Sequence, residues 1–205
     1  MHSYNSRNDV VGTGPVIATW TRRMWNAQAK PNVVGEFGTS ADINNPEQFH
    51  NGIWAGLAAG AAITPLDWND SSQWGKMTPA MFEHLAHLGK FVADLPLAKL
   101  NPTLLDIQPA DADLRAWGVG GQAWGIAWVQ DVSLKGKPVA EVRESKSRRA
   151  RLTVQGLADG SYRVRPFDTW QGIYVNESVA AASGGALTLD LPEFRGDMAV
   201  RIERA

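Results

Sequence analysis

In the first half of the chain hydrophobic residues recur at helical spacing, broken by short continuous apolar runs. In the second half they alternate with polar ones. Pro15 follows Thr13-Gly14 at a first helical turn, and Val16, Ile17, Trp20, Met24 and Ala27 recur three and four apart. That spacing predicts an amphipathic helix over about 15–29. A second helix opens at Asn45-Pro46-Glu47, which reads as a cap, a first-turn proline and a first-turn acid. It runs through Phe49, Ile53, Trp54, Leu57 and Ala58 to a C-terminal Gly60. A third opens at Thr78-Pro79 and places Met81, Phe82, Leu85, Leu88, Val92 and Leu95 on one face.

Short apolar runs stand between these helices. Lys30-Pro31-Asn32-Val33-Val34-Gly35-Glu36-Phe37-Gly38-Thr39 predicts a strand covered on both faces, with Pro31 at its entrance and Glu36 where the apolar run stops. Gly38 then frees the backbone to turn. Ala61-Ala62-Ile63-Thr64-Pro65-Leu66-Asp67-Trp68 predicts another buried strand, made irregular by Pro65. Helix, strand, helix, strand, helix is the rhythm of βα units around a parallel sheet. A Glu at the carboxyl end of such a strand occupies the place where α/β barrels put catalytic groups. The local pattern fits equally a strand end that faces water.

The rhythm breaks near Pro96–Pro109, where Leu95-Pro96-Leu97 and Asn101-Pro102 read as a linker. Period-two alternation follows in 114–119, 123–129, 151–154, 161–167, 186–191 and 198–202, punctuated by Asp159-Gly160, Gly184-Gly185 and Arg195-Gly196-Asp197. Short strands at this spacing predict an antiparallel β-sandwich. Two domains are therefore expected, 1–99 and 100–205, with a boundary near Leu100.

Composition narrows the function classes. A net charge of -1 and a pI near 6.4 give no electrostatic case for nucleic acid or an anionic membrane. With no cysteine there is neither a disulfide framework nor thiolate chemistry. The most apolar segment, Ile53–Pro65, is too short to span a bilayer, and the first residues lack an apolar signal core. The cluster Arg143, Lys146, Arg148, Arg149, Arg151 holds no aromatics and includes Glu141 and Glu144, so it reads as a solvated hairpin loop. The four histidines, His2, His50, His84 and His87, show no spacing around an open metal position. His84 and His87, three apart on a helix, read as surface positions, and no metal or cofactor is expected. Nine tryptophans beside three tyrosines is an unusual ratio, shared by soluble proteins that bind sugar rings and by ordinary aromatic cores.

Four pieces stand in a suggestive order: His2-Ser3-Tyr4, then Lys30-Pro31-Asn32-Val33-Val34-Gly35-Glu36-Phe37-Gly38, then the Trp54 helix, then Leu66-Asp67-Trp68-Asn69. Together they resemble the last third of a clan A glycoside hydrolase (β/α)8 barrel of the cellulase and β-mannanase kind. Gly160-Ser161-Tyr162-Arg163-Val164 to Asp168-Thr169, and Leu191-Pro192-Glu193-Phe194 with Asp197, resemble the small β-sandwich often fused behind such barrels.

The resemblance implies a retaining hydrolase of β-linked polysaccharide in which Glu36 is the nucleophile on the seventh barrel strand. Tyr4 would donate a hydrogen bond that keeps Glu36 ionised, and His2 would contact sugar or carboxylate. Trp68 would be the aromatic platform of the sugar subsite, with Asn69, Asp70 and Trp74 in the following loop as further sugar contacts. For His2 the alternative is a frayed terminus, for Tyr4 a core aromatic, and for the loop residues simple turn formation.

Retaining hydrolysis also requires a second carboxyl group about 5–5.5 Å from the first. The family carries it as an Asn-Glu pair on the fourth strand, and the one Asn-Glu here, Asn176-Glu177, reads as a strand-end pair. The chain is therefore expected to be the carboxyl-terminal part of a longer hydrolase. It would complete itself with the missing barrel portion or by self-association, and family habit suggests an extracellular or periplasmic location. Two other functions stay open: a carbohydrate-binding accessory module, favoured by exposed coplanar Trp117, Trp124 or Trp170, and a purely structural sandwich.

Overall fold

The structure, a computed structural model, describes residues 2–5, 9–27, 31–39, 45–66 and 77–205. Strand β1 (His2–Asn5) leads to helix α1 (Thr13–Ala27), then β2 (Glu36–Thr39), α2 (Pro46–Ala59) and α3 (Pro79–Val92). Local chemistry explains the helix bounds. Asn45 Oδ1 accepts from the Gln48 amide at 2.9 Å and Pro46 follows in the first turn, while Gly60 ends the helix at φ 89°, a conformation that suits a residue with no Cβ. Thr78 caps α3 in the same way, its side chain accepting from the Met81 amide.

α2 is buried almost all round and is the hub of the helical layer. Its glycines let neighbours come close: a Cβ on Gly52 would lie 2.3 Å from the Phe37 ring, and one on Gly56 would lie 2.3 Å from Pro65. α1 approaches through Thr13, Gly14, Ile17, Ala18 and Thr21, so the face it buries is small. Of the expected stripe, Ile17 is buried, Val16 and Met24 are half-buried, and Trp20 and Ala27 are exposed. Trp20 is 43% exposed, with the Arg23 guanidinium 5.0 Å from its ring centroid. On α3 the buried stripe is Met81, His84, Leu88 and Phe91, and Phe82, expected inside, is 59% exposed.

The first apolar run also departs from expectation. Val34 is buried but Val33 is 41% exposed, so this segment is covered on one face rather than two. The ladder to β1 begins at Glu36 instead of ending there. The backbone of 32–34 bonds the other way: Asn32 O accepts from Ala62 N at 2.9 Å and Val34 O from Leu66 N at 3.2 Å. Segment 61–66 thus lies beside 32–37, but it forms no regular strand, and with Ile63 51% and Leu66 53% exposed it is not the buried strand expected; Pro65 alone is buried.

The second half is one ten-stranded sheet, not two stacked sheets. Its strands are β3 (Thr103–Leu104), β4 (Asp106–Pro109), β5 (Leu114–Gly121), β6 (Trp124–Asp131), β7 (Arg148–Gln155), β8 (Gly160–Asp168), β9 (Ile173–Tyr174), β10 (Ser178–Ser183), β11 (Ala186–Phe194) and β12 (Asp197–Arg204). The order is β3-β5-β6-β12-β8-β10-β11-β7-β4, with β9 paired to β8 off that path. β3 and β4 are consecutive pieces of one segment, which pairs with β5 through Thr103 and Leu104 and with β7 through Asp106–Pro109. The segment just after the expected linker therefore joins the two ends of the sheet and rolls it into a nearly closed barrel, which leaves little open edge.

Alternation along these strands supplies two cores. Leu152, Val154, Tyr162, Leu187, Val200 and Ile202 fill the inside. Trp117, Ile126, Trp128, Phe167 and Ala199 point outward and pack against Ile17, Trp54 and Phe91 of the helices. This double burial is why β5 and β6 read as almost continuously apolar. The basic cluster is not a hairpin loop. A short helix α4 (Val139–Arg143) and strand β7 carry most of it. Arg143 pairs with Glu47, Arg149 with Glu193 and Arg151 with Asp190, while Arg148 bridges Asp111, Asp113 and Asp131.

Candidate functional site

Glu36 begins β2, whose register with β1 is parallel: His2 opposite Glu36, Ser3 opposite Phe37, Tyr4 opposite Gly38 and Asn5 opposite Thr39. On the other flank Phe37 N donates to Leu66 O at 2.9 Å. Three extended segments thus lie side by side in chain order, with α1 and α2 as the connections between them. Phe37 is fully buried and stacks on Phe49 of α2, centroids 6.4 Å apart at 19°. Successive side chains in a strand face opposite sides, so Glu36 projects away from the helices and is half-buried. The backbone register brings position 2 beside Glu36 and position 4 beside Gly38. Trp68, Asn69, Asp70 and Trp74 lie outside the described residues.

A second group of side chains, which sequence reasoning missed, surrounds Asp197 at the start of β12. Its carboxylate is buried and accepts from Trp128 Nε1 at 2.7 Å, Thr169 Oγ1 at 2.6 Å and Trp170 Nε1 at 2.8 Å. His50 Nε2 donates to it at 3.1 Å from either oxygen. His50 stacks on Trp170 at 3.9 Å, and its Nδ1 is 3.2 Å from His84 Nδ1. His87 Nδ1 donates to Thr169 O at 3.2 Å. Burial works to push the Asp197 carboxyl up, but the His50 charge and the hydrogen bonds from His50, Thr169 and Trp128 outweigh it and hold the group below its ordinary range. Burial first, then His50 and His87, push His84 down to about 3 against the opposing pull of Asp197.

His84 and His87 are therefore not surface residues. His84 stands on the stripe of Met81, Leu88 and Phe91, and that spacing was the sequence signal for its burial. His50 is wholly buried and both its ring nitrogens are engaged, so this cluster clamps α2 and α3 to the sheet. Among the described residues no three His, Asp or Glu are placed to hold a metal ion, and no helix is long and apolar enough to cross a membrane.

Beside the clamp opens a pocket of about 470 Å³ lined by Glu47, Arg143, Asp168, Trp170, Gln171, Glu193, Arg195 and Asp197, among others. A register shift between Leu191 and Phe194 bends β11 at this wall. Among the described residues the tryptophans form no exposed coplanar platform: Trp117 and Trp128 stack 5.6 Å apart in the core, and Trp124 and Trp170 are half-buried. Asn176-Glu177 precedes β10, where Glu177 pairs with Arg163 at the exposed surface.

No family model and no curated protein matches the chain. A solved structure described as a glycoside hydrolase is similar in fold, with a TM-score of 0.55 at 10% identity over 92% of this chain and 46% of its own. A GH30 endoxylanase from Clostridium papyrosolvens C71 matches with a TM-score of 0.46 at 12% identity over 100% of this chain and 49% of its own. The chain thus spans about half the length of these solved structures, and the likeness to the first is one of fold.

Proposed function

We propose that the chain is the carboxyl-terminal part of a retaining glycoside hydrolase acting on β-linked polysaccharide of the cellulose or mannan type, with Glu36 as nucleophile. The observation that carries this reading is the placement of Glu36 on the middle of three adjacent extended segments, facing away from the helices that connect them. In a (β/α)8 barrel that face is the interior. On this reading residues 1–99 supply the last βα units, and residues 100–205 form the all-β domain that braces them.

The chemistry follows from the carboxylate. Glu36 attacks the anomeric carbon as a second carboxyl group, from the remainder of the barrel or an associated chain, protonates the departing oxygen. The glycosyl ester on Glu36 is then hydrolysed by water, which the second group, now a carboxylate, deprotonates. His2 and Tyr4 would orient Glu36 and the sugar from β1, with Trp68, Asn69 and Asp70 completing the subsite. On this reading the protein works outside the cytoplasm, in an extracellular or periplasmic setting. The accessory-module reading loses support from the burial of Trp117 and the half-burial of Trp124 and keeps only Trp170, half-buried at the pocket wall.

A dinitrophenyl β-glycoside tests the nucleophile in this chain, because its leaving group departs without a proton. The protein should release dinitrophenol from β-glucoside or β-mannoside, and Glu36→Ala should not. Equal release by both proteins, or none by either, contradicts the proposal.

A further inference from the structure

The pocket against Trp170 lies apart from the Glu36 segment: among its described lining residues none comes from 31–39. Its walls are the first turn of α2, helix α4 with the loop after it, the loop 168–171 and the turn between β11 and β12. We infer that this pocket is a carbohydrate-binding site distinct from Glu36, taking a neutral β-linked oligosaccharide with one ring against Trp170. The choice of ligand class rests on the reading in the preceding section; the site itself rests on the following geometry.

Trp170 is held before any ligand arrives. Its indole N–H is fixed on Asp197 at 2.8 Å, its ring lies 3.9 Å from His50 at 18°, and its own amide donates to Asp168 Oδ1 at 2.9 Å. A ring already ordered loses little freedom on binding, which is the condition for an effective stacking platform. Around it the lining supplies four carboxylates, Glu47, Asp168, Glu193 and Asp197, against the two guanidinium groups of Arg143 and Arg195. That balance disfavours an anion. Most of those acids are also committed. Asp197 holds four donors, Glu47 pairs with Arg143, and Asp168 caps the Trp170 and Gln171 amides. A cation would therefore have to displace existing partners. What the pocket offers is a flat aromatic body rimmed by exposed polar side chains able both to donate and to accept: Gln171, Glu193, which pairs with Arg149 at the surface, and Arg195, one of whose nitrogens donates to Arg143 O. Sugar rings present that combination of C–H faces and hydroxyl edges.

The test is titration of the 205-residue chain with cellohexaose, mannohexaose and xylohexaose, followed by calorimetry and amide shifts. At least one should bind, with shifts at 168–171 and 193–197. Trp170→Ala should weaken that binding about tenfold or more. Because loss of Trp170 also strips a donor from Asp197, the double variant Gln171→Ala/Arg195→Ala, confined to exposed positions, is the second arm. It should keep the native circular dichroism spectrum and still weaken binding several-fold. Glu36→Ala should show the same sugar-induced shifts at 168–171 and 193–197 as the wild type. Absence of binding to all three sugars, or unchanged affinity in the double variant, overturns the site. Loss of dinitrophenyl glycoside cleavage in Glu36→Ala alongside either result would leave the hydrolase reading standing, so the two claims fail separately.

Discussion

The buried histidine pair makes stability depend on pH in a way that can be worked out from its surroundings. His84 faces His50 of α2, Asp197 of β12 and, on its own helix, His87, and its imidazole is pushed down from 6.5 to about 3. Between those values the unfolded chain binds a proton at this residue and the folded chain does not. Stability from His84 is therefore complete above pH 6.5 and falls as pH drops toward 3. At about 1.4 kcal/mol per tenfold, the whole window is worth at most about 5 kcal/mol, lost at up to about 1.4 kcal/mol per pH unit. Asp197, held below its ordinary range, adds loss of the same sign at lower pH, as it is protonated. Replacing His84 by Gln removes the titration and costs about 1–2 kcal/mol at pH 7 through the weakened bond to His50. Urea unfolding from pH 7.5 to pH 4 should give two lines that converge and cross near about pH 5.5, with the variant the more stable below that. Parallel lines across the window would refute the assignment of the acid sensitivity to this pair.

Other perturbations follow from the same structure. Asp197→Asn leaves His50 and its neighbours without their shared carboxylate and should destabilise the fold by about 3–5 kcal/mol, read as a lower urea midpoint with an unchanged slope. Gly52→Ala drives a methyl into the Phe37 ring, so it should cost about 1–3 kcal/mol. Because Phe37 fixes the direction of its neighbour Glu36, the same change should also lower dinitrophenyl glycoside cleavage per folded molecule. Arg148→Ala leaves Asp111, Asp113 and Asp131 facing one another across β5, β6 and β7, with an expected loss of about 1–2 kcal/mol that shrinks at high salt.

Where local chemistry dictates an element, the sequence was easily read. Asn45-Pro46 and Gly60 bound α2, and Thr78-Pro79 opens α3, because caps and first-turn prolines satisfy backbone groups wherever the chain later packs. The burial of side chains was less legible, since it depends on which neighbour arrives. Trp20 and Phe82 fit an apolar stripe by spacing, yet the glycine- and threonine-lined face of α1 and the histidine on α3 are what the structure buries. The rolled sheet was hidden for a similar reason: nothing in Thr103–Pro109 announces that one segment pairs with β5 and with β7. Glu36 was found because it ends an apolar run, although its strand begins there. The Asp197 clamp was invisible because its members are separated by up to 147 positions along the chain.

The central claim is that Glu36 forms a bond to sugar. A dinitrophenyl β-glycoside carrying fluorine in place of the hydroxyl next to the anomeric carbon slows breakdown of the glycosyl ester more than its formation, so the intermediate accumulates. Mass spectrometry of the treated protein should show one added fluoroglycosyl group, and peptide mapping should place it on Glu36. An unmodified protein, or a sugar attached at another residue, contradicts the account.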